Sequence, residues 1–132
     1  MGYHRAGFEI VGVDHLPQPH YPFEFIQAEA LDFLDHGCWR AFQAIHASPP
    51  CQAYSIMRNL PWLKDREYPA LILPTVERLE VIGLPYVLEN VMGARHGAKG
   101  LAKRSLEAHG LSAGWLCGTM FRLPFYRHRL FE

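Results

Sequence analysis

Short apolar runs, separated by polar segments that contain proline or glycine, recur along the chain and predict strands. The runs with the length and composition of strands cover residues 8–13, 23–27, 44–47, 85–88, 114–121 and 126–131. Residues 70–83 differ because their apolar side chains recur at helical spacing, and Gly83 is a natural helix terminator. Strands that alternate with helical segments predict an α/β fold.

Shorter segments complete this prediction of secondary structure. Residues 2–6 are predicted to be the tail of a helix that Gly7 closes in a left-handed conformation. A second helix is predicted to run through Leu31, Phe33 and Leu34, and a third to cover residues 101–108. Residues 15–22 contain three prolines and are therefore predicted to be a loop.

Length and composition indicate one ordinary globular domain. The chain has 132 residues, of which 49% are hydrophobic and 20% charged, a balance that argues against disorder. Lys plus Arg equals Asp plus Glu at 13 each, so there is no overall basic field of the kind that attracts nucleic acid. Any such contact must come from a local basic patch, and a solvated surface is the equally weighted alternative. The candidate patch comprises Arg95, His96, Lys99, Lys103, Arg104, Arg122, Arg127 and Arg129.

Cysteine and histidine usage predicts a reduced, cytoplasmic protein without a metal. The three cysteines form neither a disulfide framework nor a C-x-x-C pair, and no two of the eight histidines have the H-x-x-x-H spacing of a zinc helix. No apolar run approaches the roughly 18 residues that a membrane span requires. Secretion and membrane insertion are therefore not expected.

The candidate chemistry begins at Cys51, which follows Pro49 and Pro50 at the end of a predicted buried strand. Each proline fixes its own φ and restricts the residue before it, so the backbone at Cys51 is set before any ligand arrives. This suits a nucleophile. Glu89 lies at the end of a second predicted strand, and the helix over residues 70–83 separates the two strands. Such a crossover predicts that Cys51 and Glu89 lie side by side at one edge of a parallel sheet.

The tripeptides Pro50-Cys51-Gln52 and Glu89-Asn90-Val91, in this order and each after an apolar strand, resemble the two catalytic signatures of the DNA (cytosine-5) methyltransferases. The resemblance extends from residues 2–8 to residues 126–129, and it is to a short phage or bacterial DNA methylase. It implies a Rossmann-like three-layer α/β sandwich with a mostly parallel sheet, incomplete at its first strand. Residues 1–132 would form a single, partial methyltransferase-like catalytic domain.

The resemblance also implies a reaction and a set of roles. A methyl group would pass from S-adenosylmethionine to carbon 5 of a cytosine flipped out of double-stranded DNA, in the cytoplasm of a bacterial or phage-infected cell. Cys51 would be the nucleophile and Glu89 the acid, while one of Arg127 and Arg129 would help to hold the flipped base and both would add positive charge near the thiolate. The remaining assignments are Asp14, Glu29 and Pro50 for the cofactor, and Gln52, Ser55 and Asn90 for the substrate.

Several of these residues have a structural alternative. Asp14 is either the ribose ligand at the end of a strand or a solvated turn residue, and Glu29 is either the acceptor for the adenine amino group or a first-turn helix residue. Asn90 either contacts substrate or fixes its own loop. Residues 55–68 are either a mobile lid over nucleic acid or an ordinary surface loop.

Three parts of the family pattern have no counterpart in the sequence: the first strand with its glycine-rich cofactor turn, which would precede residue 2, a target-recognition domain, and the closing motifs. A fragment or a misassigned start codon is the favoured explanation. The alternatives are a degenerate relative that binds without catalysis and a partner chain that supplies the missing strand. A Rossmann-like nucleotide- or DNA-binding module in which Cys51 is structural stays open as a different class of function.

Overall fold

The computed structural model describes residues 2–55, 60–63, 65–96 and 114–131. The chain forms two compact units, Met1–Trp39 and Arg40–Glu132, each with its own sheet. The predicted helix over residues 101–108, and parts of the predicted lid and basic patch, lie outside the described residues. The assignment of residues 1–132 to a single domain stays a prediction.

The unit Met1–Trp39 contains two short helices and one parallel pair of strands. Its elements are α1 (Gly2–Arg5), β1 (Val11–Asp14), β2 (Glu24–Gln27) and α2 (Ala30–His36). The chain turns after α1 with Gly7 at a φ of 94°, which confirms the predicted glycine turn. β1 and β2 run parallel, with Val11 opposite Glu24 and Asp14 opposite Gln27. The predicted strands are therefore present, although each is shorter than its apolar run.

The proline-containing loop between β1 and β2 returns over β1 itself. The ring of Tyr21 lies so close to Gly12 that a Cβ atom there would be 2.6 Å from it. Tyr21 also meets the ring of Phe23 edge-on, with centroids 5.7 Å apart. Gly12 is therefore required by a close approach within this unit.

The unit Arg40–Glu132 contains a four-stranded sheet with two helices in the connections. Its regular elements are β3 (Ile45–Ala47), α3 (Ile72–Ile82), β4 (Tyr86–Asn90), α4 (Met92–His96), β5 (Gly114–Cys117) and β6 (His128–Phe131), with 3-10 turns at Trp39–Ala41, where the units meet in sequence, and Gly118–Phe121. The strand order is β3-β4-β6-β5. β3 and β4 are parallel, whereas β6 is antiparallel to both of its neighbours. The α/β class is confirmed, and the three-layer, mostly parallel sandwich stays a prediction.

Helix α3 forms where helical periodicity predicts it and supplies the largest fully buried side chains among the described residues. Ile72, Val76 and Leu79 lie one turn apart and are almost completely buried. Ile72 and Val76 pack against Leu88 of β4 and Ala94 of α4. The helix ends at Gly83, whose φ of 73° is left-handed and whose N–H donates to the Leu79 carbonyl at 3.0 Å.

The apolar run over residues 114–121 is a strand only in its first half. β5 ends at Cys117, and the chain continues as the 3-10 turn, in which the N–H of Arg122 donates back to the Thr119 carbonyl at 3.2 Å. Arg122 closes this turn with a φ of 60°. β6 begins at His128, so Arg127 precedes the strand and the prediction that Arg127 and Arg129 share one strand is wrong.

Two positions on α3 provide a matched test of this packing. We expect Leu79→Ala to lower the free energy of unfolding by about 2–5 kcal/mol, because it leaves a cavity at a side chain that is 1% exposed. Val81→Ala, at a side chain that is 89% exposed, should change it by less than about 0.5 kcal/mol. Urea unfolding followed by circular dichroism measures both. Equal effects of the two changes would contradict the described packing.

Candidate functional site

The turn that carries Cys51 is fixed by its own backbone hydrogen bonds. The Cys51 carbonyl accepts the N–H of Tyr54 at 3.0 Å and that of Ser55 at 2.8 Å. Ser55, assigned to the substrate, therefore helps to close the turn. The flanking residues Pro50 and Gln52 are exposed, and Cys51 itself is partly exposed. The turn thus presents a partly accessible cysteine on a hydrogen-bonded backbone, four residues after the end of β3.

Tyr54 attaches this turn to the start of α3. Its hydroxyl oxygen accepts the backbone N–H of Ile72 at 3.1 Å, which satisfies one donor at the helix N-terminus. Burial raises the pKa of the Tyr54 phenol above its ordinary value of 10.0, and the hydrogen bond from Ile72 offsets part of that rise. The sequence interpretation did not assign a role to Tyr54.

Gly93 allows α4 to approach the same turn. A Cβ atom at Gly93 would lie 2.5 Å from the Tyr54 carbonyl oxygen, so any other residue would displace backbone. The following residue, Ala94, is fully buried in the core. The only sequence signal for this contact is a glycine four residues after Glu89 at the start of a helix.

Asn90 joins the end of β4 to the segment before Cys51. Its Nδ2 donates to the Pro49 carbonyl at 2.9 Å, and its Oδ1 accepts the N–H of Val91 at 2.9 Å. The side chain is buried. These contacts favour the interpretation in which Asn90 fixes the loop, while its assignment to the substrate stays a prediction.

Glu89 lies between two basic side chains. Its Oε1 is 3.0 Å from Nε of Arg129, and its Oε2 is 3.7 Å from Nε2 of His46. The side chains of His46 and Glu89 are each 29% exposed and that of Arg129 is 27% exposed. The carboxylate is therefore held from β3 on one side and from β6 on the other.

The register of the sheet explains why these three side chains meet. His46 is opposite Val87 in the parallel ladder, and Val87 and Glu89 lie two residues apart on one face of β4. Across the antiparallel ladder Glu89 is opposite Phe131, which shares its face with Arg129. The other face carries the buried side chains of Leu88, Asn90 and Leu130. His46 was missed from the sequence because its place depends on the pairing of strands 40 residues apart.

Arg127 has a different environment from Arg129. It is exposed, and its carbonyl accepts the N–H of Gly118 at 3.1 Å. Among the described residues, the recorded ion pairs of Glu89 are with Arg129 and His46. Arg129 is therefore in contact with the Glu89 carboxylate, whereas Arg127 is exposed to solvent.

The predicted cofactor residues Asp14 and Glu29 belong to the unit Met1–Trp39. Asp14 ends β1, its side chain is 43% exposed, and its Oδ1 both accepts the N–H of Leu16 at 2.9 Å and lies 3.3 Å from His15 Nδ1. An exposed carboxylate at the end of a strand has the acceptor chemistry that a ribose diol requires. Glu29 is the exposed residue before α2 and makes no capping hydrogen bond with its side chain. The assignment of both residues to the cofactor stays a prediction.

The other two cysteines, Cys38 and Cys117, differ in their exposure. Cys117 is buried, and the hydrogen bond that the Thr119 hydroxyl donates to its Sγ at 3.2 Å lowers the pKa of that thiol. Cys38 is exposed. The described residues include no group of three or more His, Cys, Asp or Glu arranged to hold a metal ion.

Comparisons with known proteins add no family assignment. No family model matches the chain, and no curated protein matches it. In the part of the chain that the structure describes, no helix is long and apolar enough to cross a membrane.

Asn90 offers a direct test of the two interpretations of its role. We expect Asn90→Ala to lower the free energy of unfolding by about 1–3 kcal/mol, because buried partners on Pro49 and Val91 lose their hydrogen bonds. Asn90→Asp keeps the acceptor for Val91 but loses the donor to Pro49, and it should be destabilised as well. Urea unfolding without any ligand measures both. Unchanged stability in both variants would favour a role in substrate contact alone.

Tyr54 gives a prediction with a defined dependence on pH. Tyr54→Phe removes the acceptor for the Ile72 N–H and should lower the free energy of unfolding by about 1–2 kcal/mol at neutral pH. Because folding raises the Tyr54 pKa, the wild type loses this tyrosine's contribution to stability as pH rises above 10.0. The difference in the free energy of unfolding between the wild type and Tyr54→Phe should therefore become smaller above pH 10.0. Tyr126→Phe, at an exposed tyrosine, is the control, and a constant difference for Tyr54→Phe would contradict the assignment.

Proposed function

We propose that the chain acts as a DNA (cytosine-5) methyltransferase. The observation that carries this proposal is the position of Glu89 in β4, paired in parallel with the strand that ends at the Cys51 turn, with its carboxylate bound by Arg129. The sequence signatures around Cys51 and Glu89 supply the choice of reaction. The geometry supports it because β3, which leads to the Cys51 turn, and β4, which carries Glu89, are adjacent and parallel.

Cys51 would begin the reaction. Its thiolate Sγ adds to carbon 6 of cytosine, and the electrons of the 5,6 double bond make carbon 5 nucleophilic. The bound S-adenosylmethionine would supply the electrophilic methyl group that carbon 5 receives. After a base removes the carbon 5 proton, the bond between Sγ and carbon 6 breaks and the thiolate leaves. The hydrogen bonds that close the turn hold Cys51 in place throughout.

Glu89 would orient the base and stabilise the charge that builds on its ring. A carboxyl group beside ring nitrogen 3 and the exocyclic amine can do this by hydrogen bonding or proton transfer. Arg129 occupies Oε1 at 3.0 Å, whereas the contact of Oε2 with His46 is longer at 3.7 Å. Oε2 is therefore the oxygen that we assign to the base.

The other assignments follow from exposure and chemistry. Asp14 would accept hydrogen bonds from the ribose of S-adenosylmethionine, and Glu29 from its adenine amino group. Pro50 would contact the cofactor, and Gln52 the substrate. Arg127 would contact double-stranded DNA around the extruded cytosine, because its charge is exposed immediately before β6.

A nucleotide-binding module without catalysis is the second candidate. The exposed Asp14 carboxylate at the end of β1 favours it, since this position serves ribose binding in many α/β folds. In that case Cys51 and the residues around it would have a structural role only. Titration calorimetry with S-adenosylmethionine, comparing Asp14→Asn with the wild type, measures this binding separately from catalysis.

A covalent trap tests the proposed reaction. Incubation with S-adenosylmethionine and double-stranded DNA that contains 5-fluorocytosine should give an adduct that survives denaturation, because fluorine blocks the final elimination. Mass spectrometry should locate the adduct at Cys51. Cys51→Ala should abolish it, and Glu89→Gln should slow its formation by about 100-fold or more.

The chain supplies its own control cysteines for this experiment. Cys38→Ala removes an exposed thiol and should leave the adduct unchanged. An adduct that persists in Cys51→Ala, or its absence from the wild type on DNA of varied sequence, would exclude methyl transfer through Cys51. The second candidate would then be the function to pursue.

A further inference from the structure

The connection between β5 and β6 places a group of large apolar side chains in water. Met120, Phe121, Leu123, Phe125 and Tyr126, which we name the aromatic platform, are between 44% and 84% exposed. Residues 119–128 are exposed without interruption. A concentration of exposed apolar groups on one short connection is typical of a binding surface.

The backbone beneath the aromatic platform is ordered by hydrogen bonds. The N–H of Gly118 donates to the Arg127 carbonyl at 3.1 Å, and that of Arg122 to the Thr119 carbonyl at 3.2 Å. A Cβ atom at Gly118 would lie 2.9 Å from the Phe125 carbonyl oxygen and about as close as normal contact allows to the side chains of Phe125 and Leu123. The rings are therefore presented on a preformed turn.

The charge of this connection selects the kind of partner. Residues 114–131 contain no Asp, Glu or Lys but three arginines, of which Arg122 and Arg127 are exposed and Arg129 is bound to Glu89. The arginines alternate with the aromatic rings along the chain. Exposed positive charge beside flat apolar rings matches a ligand that has both phosphates and stackable faces.

A second copy of this chain fits the surface less well. Two copies of the platform facing each other would bring the exposed arginines, Arg122 and Arg127, into repulsion. The connection also leads directly into β6, where Arg129 holds Glu89. Continuity with the residues assigned to the base favours nucleic acid over an anionic lipid surface.

We propose that the aromatic platform stacks unpaired nucleobases of DNA while Arg122 and Arg127 contact the adjacent phosphates. The inference rests on the proposed function only in its choice of DNA. Unpaired bases are specified because stacking on exposed rings requires an open face of the base, which a continuous duplex does not offer.

Fluorescence anisotropy with a 5′-labelled single-stranded thymidine oligonucleotide tests the stacking. Tyr126→Ala, at a side chain that is 84% exposed, should fold normally and weaken binding about 5-fold to 100-fold. Tyr126→Phe should retain most of the affinity because it keeps the ring. Val81→Ala removes an equally exposed apolar side chain from α3 and should have no effect.

The phosphate contacts have a separate readout. Arg122→Asn removes the charge with a residue that tolerates the left-handed backbone at φ 60°. It should reduce the slope of log affinity against log salt concentration by about 0.7 for single-stranded DNA. Tyr126→Ala should leave that slope unchanged.

Several outcomes would overturn the proposal. Equal affinity of Tyr126→Ala and the wild type would exclude stacking, and so would equal affinity for a perfectly paired duplex and for the single strand. Binding to anionic phospholipid vesicles that is lost in Tyr126→Ala, without an effect on DNA, would assign the surface to lipid. A dimer in ultracentrifugation that Tyr126→Ala dissociates, again without an effect on DNA, would assign it to a second copy.

The failure of this inference can be distinguished from that of the proposed reaction. All binding measurements are made without S-adenosylmethionine and are repeated in Cys51→Ala, which cannot form the covalent adduct. If Tyr126→Ala weakens DNA binding but no methyl transfer is detected, the results would support the aromatic platform and not the proposed reaction. An adduct at Cys51 with no effect of Tyr126→Ala on binding would support the reaction alone.

Discussion

The parallel pairing of β3 with β4 is the constraint on which the arrangement of the candidate site depends. Two parallel strands that follow each other in sequence require a crossover, and α3 provides it. Burial of Ile72 and Val76 against Leu88 holds the crossover on the sheet. The pairing brings the ends of both strands to one edge. Without it, the turn at Cys51 and the carboxylate of Glu89 would have no fixed relation.

The two faces of this sheet differ: one is buried in the core, and the other carries residues of the candidate site. Leu88, Asn90 and Leu130 on one face are buried, and the Asn90 side chain donates a hydrogen bond to the Pro49 carbonyl. His46, Glu89 and Arg129 on the opposite face remain partly exposed. Because side chains alternate along a strand, neighbouring residues 89 and 90 can serve these different purposes. The same dipeptide thus carries a partly exposed carboxylate, Glu89, and a buried structural side chain, Asn90.

Local signals in the sequence predicted the elements well, and non-local contacts account for what was not predicted. Gly83 and the spacing of Val76 and Leu79 define α3 from residues within one helix, so the prediction was confirmed. β6 lies between β4 and β5, and its pairing with β4 joins residues about 40 positions apart in the sequence. Because β6 is antiparallel to both neighbours, half of the described ladders are antiparallel. The contact of Gly93 with the Tyr54 carbonyl likewise has no local signature.

The position of Arg129 connects the electrostatics of the site with the chemistry proposed for it. In the proposed reaction, the thiolate of Cys51 and the carboxylate of Glu89 would both be anions at the same sheet edge, and the base undergoing addition would develop further negative charge. Like charges in a partly desolvated site oppose one another unless a cation offsets them. Arg129 lies 3.0 Å from Glu89, so its positive charge offsets the negative charge of the carboxylate. His46 adds a second basic group on the other oxygen, and its charge depends on its protonation. In the proposed reaction, Arg129 and His46 would therefore reduce the repulsion between the Glu89 carboxylate and a second negative charge that forms beside it.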